Sequence, residues 1–470
     1  MNFPDPIIVL QWFFLLYFIG LNCGYILLNL LSIGTLKNYM EAKGLGDMPR
    51  VYSGYEPPIS VLVPAYNEEA EIAGLVRSLL QLEYTEFEVI VINDGSKDNT
   101  LATLQREFSL LTFPEAYWQR IKGKGVRVIY RSSTNPGLRV IDKENGGKAD
   151  ALNAGINASR YPLFCSVDAD SILQRDSLRR AVQSFLENPG TVAATGTVRI
   201  ANGCEVQQGF LTGVRLTKNW FVCMQIVESL HAFLFGRMGW SPFNAMLVVS
   251  GAFGLFRKET VIEAGGYRSD ISGAEMELVV RLHHLLRLRG MPYSIAYVPD
   301  TICWRNAPES VRVLMHQRIR WQRGLIESLL LNLPLLFDRK GGAVSWLAFP
   351  FMLIFEWLGP VIEVAAYFFM IAGFALGLVS AQALVVFLLV AIGFGMLLSV
   401  SALLLEEMSF HTYPRIDHLV ALLLAALLEN LGYRQFVSLC RFIGLLQSLV
   451  HGGAARRAFD AVVDIRAGKA

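Results

Sequence analysis

Two stretches without a formal charge limit what this chain can fold into: no Asp, Glu, Lys or Arg occurs between Asp5 and Lys37, nor in the 42 residues from Val364 to Leu405. A helix that crosses a bilayer needs about 20 apolar residues, so the first stretch predicts one span and the second a two-helix hairpin. The 53% apolar content of the 470 residues is concentrated in these stretches. Most of the charge falls between about residues 50 and 340, which reads as a water-soluble α/β domain. The N-terminal run is too long for a cleaved signal peptide and has no basic residue before it, so it reads as a retained anchor. Lys37, Lys43 and Arg50 follow it closely, which by the positive-inside bias puts the soluble domain in the cytoplasm. The Arg456–Arg457 tail implies a cytoplasmic C-terminus, and hence an even number of spans after residue 340.

Residues 342–362 are apolar but interrupted by Glu356, Gly359 and Pro360, which predicts an interfacial or half-inserted segment. Glu429, Arg434 and Arg441 interrupt 418–449 in the same way. The net charge of +2 gives no electrostatic support to a nucleic-acid partner. Six scattered cysteines without a C-x-x-C pair point away from a disulfide framework or a zinc site. The adjacent His283 and His284 sit on a helical pattern and are expected at the surface.

Strands and helices alternate from residue 58 onward. Ile59–Val63, Phe87–Ile92, Val126–Tyr130 and Leu163–Val167 read as strands, with helices at about 68–81, 98–107 and 148–158. Alternation of this kind predicts βαβ units and a largely parallel sheet. Residues 108–125 and 131–145 read as surface loops, 206–235 as one long helix or two joined ones, and 308–338 as helical. In open parallel sheets ligands bind beyond the carboxyl ends of the strands.

The residues at those ends carry chemistry. "SVLVPAYNEE" leaves Tyr66 and Glu68 there, and "VINDGSKDNT" presents Asp94 before Gly95, where an Asp accepts hydrogen bonds from a base or ribose. "ENGGKADALNAGI" puts Gly146 and Gly147 at a helix entrance, with Lys148 in its first turn as a partner for an anion. "LFCSVDADSIL" ends a strand in Asp168-Ala169-Asp170, two carboxylates on one face by two-residue periodicity. Paired carboxylates are costly unless a cation holds them, and Mg²⁺ or Mn²⁺ takes such oxygen ligands. In "VVSGAFGLFRKE" the small residues around Gly251 let a substrate approach the backbone. "GYRSDISGAEMELVV" sets Glu275 and Glu277 near a helix start, where an acid in a cleft serves as a general base. "HQRIRWQRG" places Gln317, Arg320 and Trp321 on one helix face, an indole for stacking on sugar rings beside a guanidinium for a diphosphate.

Together, over about residues 55–325, these motifs resemble the membrane-integrated family 2 inverting glycosyltransferases. That group holds the cellulose, chitin, hyaluronan and poly-N-acetylglucosamine synthases and the ceramide glucosyltransferases. The resemblance implies a GT-A type, Rossmann-like mixed sheet flanked by helices, with transmembrane helices on either side. The domains would be an anchor at 1–50, the catalytic domain at 51–310, interfacial helices at 311–341, and a membrane region and tail at 342–470. It also implies that Tyr66, Glu68, Asp94, Lys148, Asp168 and Arg320 bind the nucleotide-sugar donor and that Asp170 holds Mg²⁺ or Mn²⁺. Gly251, Gln317 and Trp321 would meet the acceptor. Such enzymes usually read Gly/Thr-Glu-Asp with Asp as base; this chain reads Gly273-Ala274-Glu275, so the candidate base is Glu275, one methylene longer.

The implied reaction is inverting transfer from a UDP-sugar to a growing β-linked polysaccharide at the inner or plasma membrane, with coupling to export. The partners are membrane lipids, a glycan or lipid acceptor, and an accessory or second identical subunit. Non-processive glycosylation of a membrane lipid is the alternative. A different class, a catalytically impaired homologue that binds or assembles, is motivated by Ala274 and Glu275.

Overall fold

The computed structural model describes residues 6–46, 56–207, 209–413 and 415–450. Arg50 and the Arg456–Arg457 tail lie outside the described residues.

The first charge-free stretch is one helix, Pro6–Gly46. The second is divided between Gly359–Ala375 and a helix running through Ala381–Phe410, with Gly377 in the left-handed region (φ +75°) at the break. Ser380 caps the second helix by accepting a hydrogen bond from the Ala383 N–H. Among the described residues, three helices are long and apolar enough to cross a membrane: Pro6–Glu41, Ala381–Phe410 and Ile416–Ser448. A fourth candidate is the pair Val344–Trp357 and Gly359–Ala375, bent by 42° where Gly359-Pro360 interrupts the helical ladder. Ile416–Ser448 is itself broken by non-helical backbone at Leu431 and Gly432, the latter at φ +128°.

Between these segments lies the α/β domain. Its strands are β1 (Ile59–Ala65), β2 (Phe87–Asn93), β3 (Leu110–Thr112), β4 (Val126–Ser132), β5 (Leu138–Lys143), β6 (Leu163–Val167), β7 (Ser171–Leu173), β8 (Thr191–Ile200), β9 (Glu205–Gln207), β10 (Phe210–Gly213), β11 (Phe253–Arg257) and β12 (Ser294–Arg305). Ten form one sheet in the order β3-β4-β5-β2-β1-β6-β11-β8-β12-β7, and β9 and β10 form a separate hairpin. The sheet is mixed rather than largely parallel. β5, β2, β1 and β6 run parallel, but β11 enters antiparallel between β6 and β8. Helical crossovers serve the parallel half, whereas a strand reached through a longer excursion is free to run the other way.

β1 shows why the sheet is covered on both faces: Val61 and Val63 join one apolar cluster and Leu62 the other, all fully buried. Each such side chain contributes about 1.5–3 kcal/mol. Gly155 of the Lys148–Ala158 helix lies on the second face, where a β carbon would sit 3.0 Å from Ile92.

Several expectations are corrected. Residues 131–145 contain β5, a fully buried interior strand, and residues 108–125 contain β3. β5 was hidden by Arg139 and Lys143, charges that read as surface residues. Arg139 is buried against Glu88 (2.7 Å) and Glu115 (2.9 Å), carboxylates far away in sequence. Residues 206–235 begin with the β9–β10 hairpin, and the helix starts only at Trp220. His283 is fully buried, its ring nitrogens 2.6 Å from the Tyr293 hydroxyl and 2.9 Å from the Met246 carbonyl. Burial lowers its pKa to about 4.

Candidate active site

The loops after β1 and β2 are tied together. Asn67, at φ +58°, donates its N–H to Ser96 Oγ (3.0 Å) and accepts from the Lys97 N–H (2.8 Å), while the Glu68 N–H donates to Thr100 Oγ1 (2.9 Å). These bonds leave Tyr66 exposed and Glu68 half-buried. Burial raises the Glu68 pKa, and the carboxylates of Glu71, Asp170, Asp98 and Asp168 raise it further. Glu68, Asp168 and Asp170 therefore share one acidic field.

Asp94, at the end of β2, is 3% exposed. Its Oδ1 accepts from Lys143 Nζ (2.7 Å) and the Gly146 N–H (3.0 Å), and its Oδ2 accepts from the Gly147 N–H (2.7 Å). The carboxylate thus holds the turn that launches the Lys148–Ala158 helix. Gly147 is needed there because its φ is +87°. Lys143 is fully buried and also pairs with Asp150 at 2.6 Å. Neither Lys143 nor Asp150 stood out in the sequence, where the run Asp142-Lys143-Glu144 looks like an ordinary solvated stretch.

Lys148 is the hub. Its Nζ lies 2.6 Å from Asp168 Oδ1 and 2.5 Å from Glu275 Oε1. Burial opposes the charge on Lys148, but the two carboxylates outweigh it and hold the ammonium above its ordinary pKa. Burial pushes Asp168 up more than Lys148 pulls it down. For Glu275 the balance is reversed: burial raises it, yet Lys148, assisted by Arg320, holds it below the ordinary range. The two carboxylates sharing one ammonium are unequal because Glu275 and Asp170 raise Asp168 further, whereas a backbone hydrogen bond and Arg320 help to lower Glu275. The strand ends at Val167, so Asp168 and Asp170 occupy a turn rather than one strand face; Asp168 points to Lys148 and Asp170 is exposed.

Gly251 closes one side of this group. A β carbon there would sit 3.0 Å from Glu275 Oε1 and 3.1 Å from Lys148 Nζ. On another side runs the helix Val311–Leu331, which carries Gln317, Arg320 and Trp321. Trp321 is 47% exposed, with the Arg318 guanidinium 4.6 Å from its ring centre. Among the described residues, no hydrogen bond joins Gln317 or Trp321 to the Asp168–Lys148–Glu275 group. Arg320 is connected to it through the field on Glu275. Glu275 opens the helix Ala274–Leu288, and the Ser272 N–H just before it donates to Glu327 Oε2 (2.7 Å) of the Trp321 helix. Among the described residues, no group of three or more His, Cys, Asp or Glu side chains is arranged to hold a metal unaided.

The sequence profile described as "Glycosyl transferase family 2" matches residues 60–259, and that described as "Glycosyl transferase family group 2" matches residues 163–398, half of the chain. The chain belongs to glycosyltransferase family 2. Lys148, Asp168, Asp170 and Gly251 of this family 2 glycosyltransferase fall in the first match, and Glu275, Gln317, Arg320 and Trp321 in the second. The chain is 29% identical over 303 residues to a poly-beta-1,6-N-acetyl-D-glucosamine synthase of Staphylococcus epidermidis, covering 62% of each chain. It is 31% identical over 275 residues to the Staphylococcus aureus protein of that name, covering 58% of this chain and 55% of that one. The chain thus spans about three-fifths of the length of the curated relatives it matches. The fold resembles a mannosyltransferase from Pyrobaculum calidifontis, solved in complex with GDP-Man and Mn²⁺. The TM-score is 0.51 and the identity 20%, over 88% of this chain and 99% of that one.

Proposed function

We propose that this family 2 glycosyltransferase transfers a sugar, with inversion, from a UDP-sugar to a growing β-linked polysaccharide at the inner face of the membrane. The observation that carries this reading is the Lys148 ammonium held between Asp168 and Glu275, with Arg320 close enough to lower Glu275. An ionised base thereby stands beside two cations suited to a leaving diphosphate. The names of the relatives make N-acetylglucosamine the first sugar to test.

Tyr66 and Glu68 line the nucleotide pocket. Asp94 uses three of about four acceptor positions on the turn it holds, and the remaining one on Oδ2 suits a uracil N–H. Lys148 and Arg320 bind the diphosphate, which competes with Glu275 for the ammonium. Glu275 then takes the proton of the acceptor hydroxyl as that oxygen attacks the anomeric carbon and the diphosphate departs. Gly251 leaves room for the acceptor, and Gln317 and Trp321 support it, the indole by stacking. The oxygen donors of Asp170 and Asp168 fit Mg²⁺ or Mn²⁺, which supplies charge neutralisation on the diphosphate when bound. Two carboxylates leave most of the cation's coordination to phosphate and water, as Mg²⁺ prefers.

We place the catalytic domain at residues 51–310 in the cytoplasm, the box helix and its neighbours at 311–341 on the inner surface, and spans at Pro6–Glu41, Val344–Ala375 and Ala381–Phe410. The part of Ile416–Ser448 that follows its break packs on the Trp220–Leu230 helix and on the box helix: Tyr433 donates to Glu228 (2.6 Å), and Gly444 lies against the backbone of Ile319. That supports a position along the inner surface, and it leaves two spans after residue 340. So few spans favour completion of an export path by a second copy or an accessory subunit.

The test is UDP release and product length for the full chain in lipid nanodiscs, with Mn²⁺ and a panel of UDP-sugars. Long polymer supports the reading, and transfer of single sugars to lipid replaces it with the non-processive alternative. Tight UDP binding without turnover for any donor replaces it with a binding subunit.

A further inference from the structure

Pro360 has no N–H, so the Glu356 carbonyl four residues earlier loses its intrahelical donor at the 42° bend. Such a carbonyl in an apolar setting costs about 1–3 kcal/mol unless another donor reaches it. Two side chains do. Gln322 Nε2, on the helix that carries Arg320 and Trp321, donates to the Glu356 carbonyl at 3.1 Å, and Arg441 donates to the same oxygen at 2.6 Å. Arg441 also pairs with the Glu356 carboxylate at 2.6 Å and donates its Nε–H to Gln322 Oε1 at 2.9 Å. Gln322 is 2% exposed, and Tyr25 of the N-terminal helix donates to the Glu356 carboxylate. Four segments thus meet at one bend. The residue immediately after Trp321 is bonded to it.

We propose that Gln322 and Arg441 are positioning residues: they fasten the bend of the Val344–Ala375 pair to the helix carrying Arg320 and Trp321, and so set where the acceptor meets the donor. This rests on the functional reading above, but the mechanical link itself is measurable without turnover. Gly444 supports it from the side, since a β carbon there would lie 3.0 Å from the Ile319 carbonyl and 3.1 Å from Gln322 Cβ. The last helix is therefore seated against the box helix with no spare room.

Amide hydrogen exchange of residues 314–324 reads the link directly, in the full chain in nanodiscs. Gln322→Met, Arg441→Met and Pro360→Ala should each speed exchange there about tenfold, with β6 unchanged. Pro360→Ala touches neither partner, but it gives the Glu356 carbonyl a backbone donor that competes with them. In the activity arm, Gln322→Met and Arg441→Met should each cost about tenfold in turnover, with UDP affinity within twofold of the parent. The double variant should lose no more than the worse single, because both act on one bond set. Arg441→Lys, which keeps the charge but not the two-sided geometry, should recover only part. Unchanged exchange in Pro360→Ala and in Gln322→Met overturns the proposal. So does a turnover loss that only tracks the loss of UDP-binding sites. A parent without turnover for any donor sinks the functional reading instead, and the exchange arm still decides the link.

Discussion

Gly324 of the box helix and Gly273, two residues before Glu275, meet backbone to backbone. A β carbon on Gly324 would sit 2.8 Å from Gly273 Cα, and one on Gly273 would sit 2.6 Å from the Gly324 carbonyl oxygen. Ser328 Oγ, one turn on, donates to the Gly273 carbonyl at 3.2 Å. The separation between Glu275 and Arg320 is set here, because backbone cannot yield as a side chain does. Gly324→Ala should push the two helices apart and lower the thermal midpoint, at an overpacking cost of about 1–3 kcal/mol. Turnover should fall more than UDP affinity, as measured by UDP release beside UDP binding.

Glu275→Gln should bind UDP as the parent does and lose about 10²–10⁴-fold in turnover, the usual contribution of a general base. Glu275→Asp shortens the reach to Lys148 and to the acceptor, so it should retain part of the rate. UDP release from matched preparations checks both. Parent-like turnover in Glu275→Gln would remove this residue as base.

Lys148→Gln should move the acid limb of kcat/KM to higher pH. The sign follows from Glu275: burial raises its pKa and Lys148 is the main influence that lowers it. Without the ammonium, the carboxylate keeps its proton to a higher pH, so the ionised base is lost sooner on acidification. A pH profile of kcat/KM tests this, alongside a fall in turnover of about 10²–10³-fold from the lost diphosphate contact.

Asp170→Asn should raise the Mn²⁺ concentration for half-maximal UDP binding about tenfold or more, with little change in thermal midpoint, because Asp170 is exposed in the turn after β6. Calorimetric titration of UDP at several Mn²⁺ concentrations reads it.

Arg139→Met concerns stability alone. It leaves the buried Glu88 carboxylate without its 2.7 Å partner, which should cost about 3–5 kcal/mol and lower the thermal midpoint by several degrees. Glu88 keeps the Ser60 hydroxyl at 2.7 Å, so Glu88→Gln in the Arg139→Met background should recover part of the loss.

The elements most legible in the sequence were those whose signal is local. β6 spans Leu163–Val167 and the Lys148 helix spans 148–158, as read from their apolar runs and the Gly146-Gly147 entrance. The break at Gly359-Pro360 was marked by residues that cannot continue a helix. β5 was missed because Arg139 and Lys143 are neutralised by Glu88, Glu115, Asp94 and Asp150, which come from other elements. His283 was misplaced for the same reason, since Met246 and Tyr293 satisfy its ring from outside its own helix.

The sequence alone determined where the two charge-free helical stretches and strands β1, β2 and β6 lie, because hydrophobic runs, caps and turn glycines act over a few residues. It also determined which residue types stand at the ends of those strands. Only the tertiary structure decided that Lys148 bridges Asp168 and Glu275, that β11 reverses direction, and that Gln322 caps the carbonyl freed by Pro360. Each of these is a contact between segments distant in the chain, and Coulomb attraction, steric exclusion and hydrogen bonding depend on separation in space, which linear order does not encode.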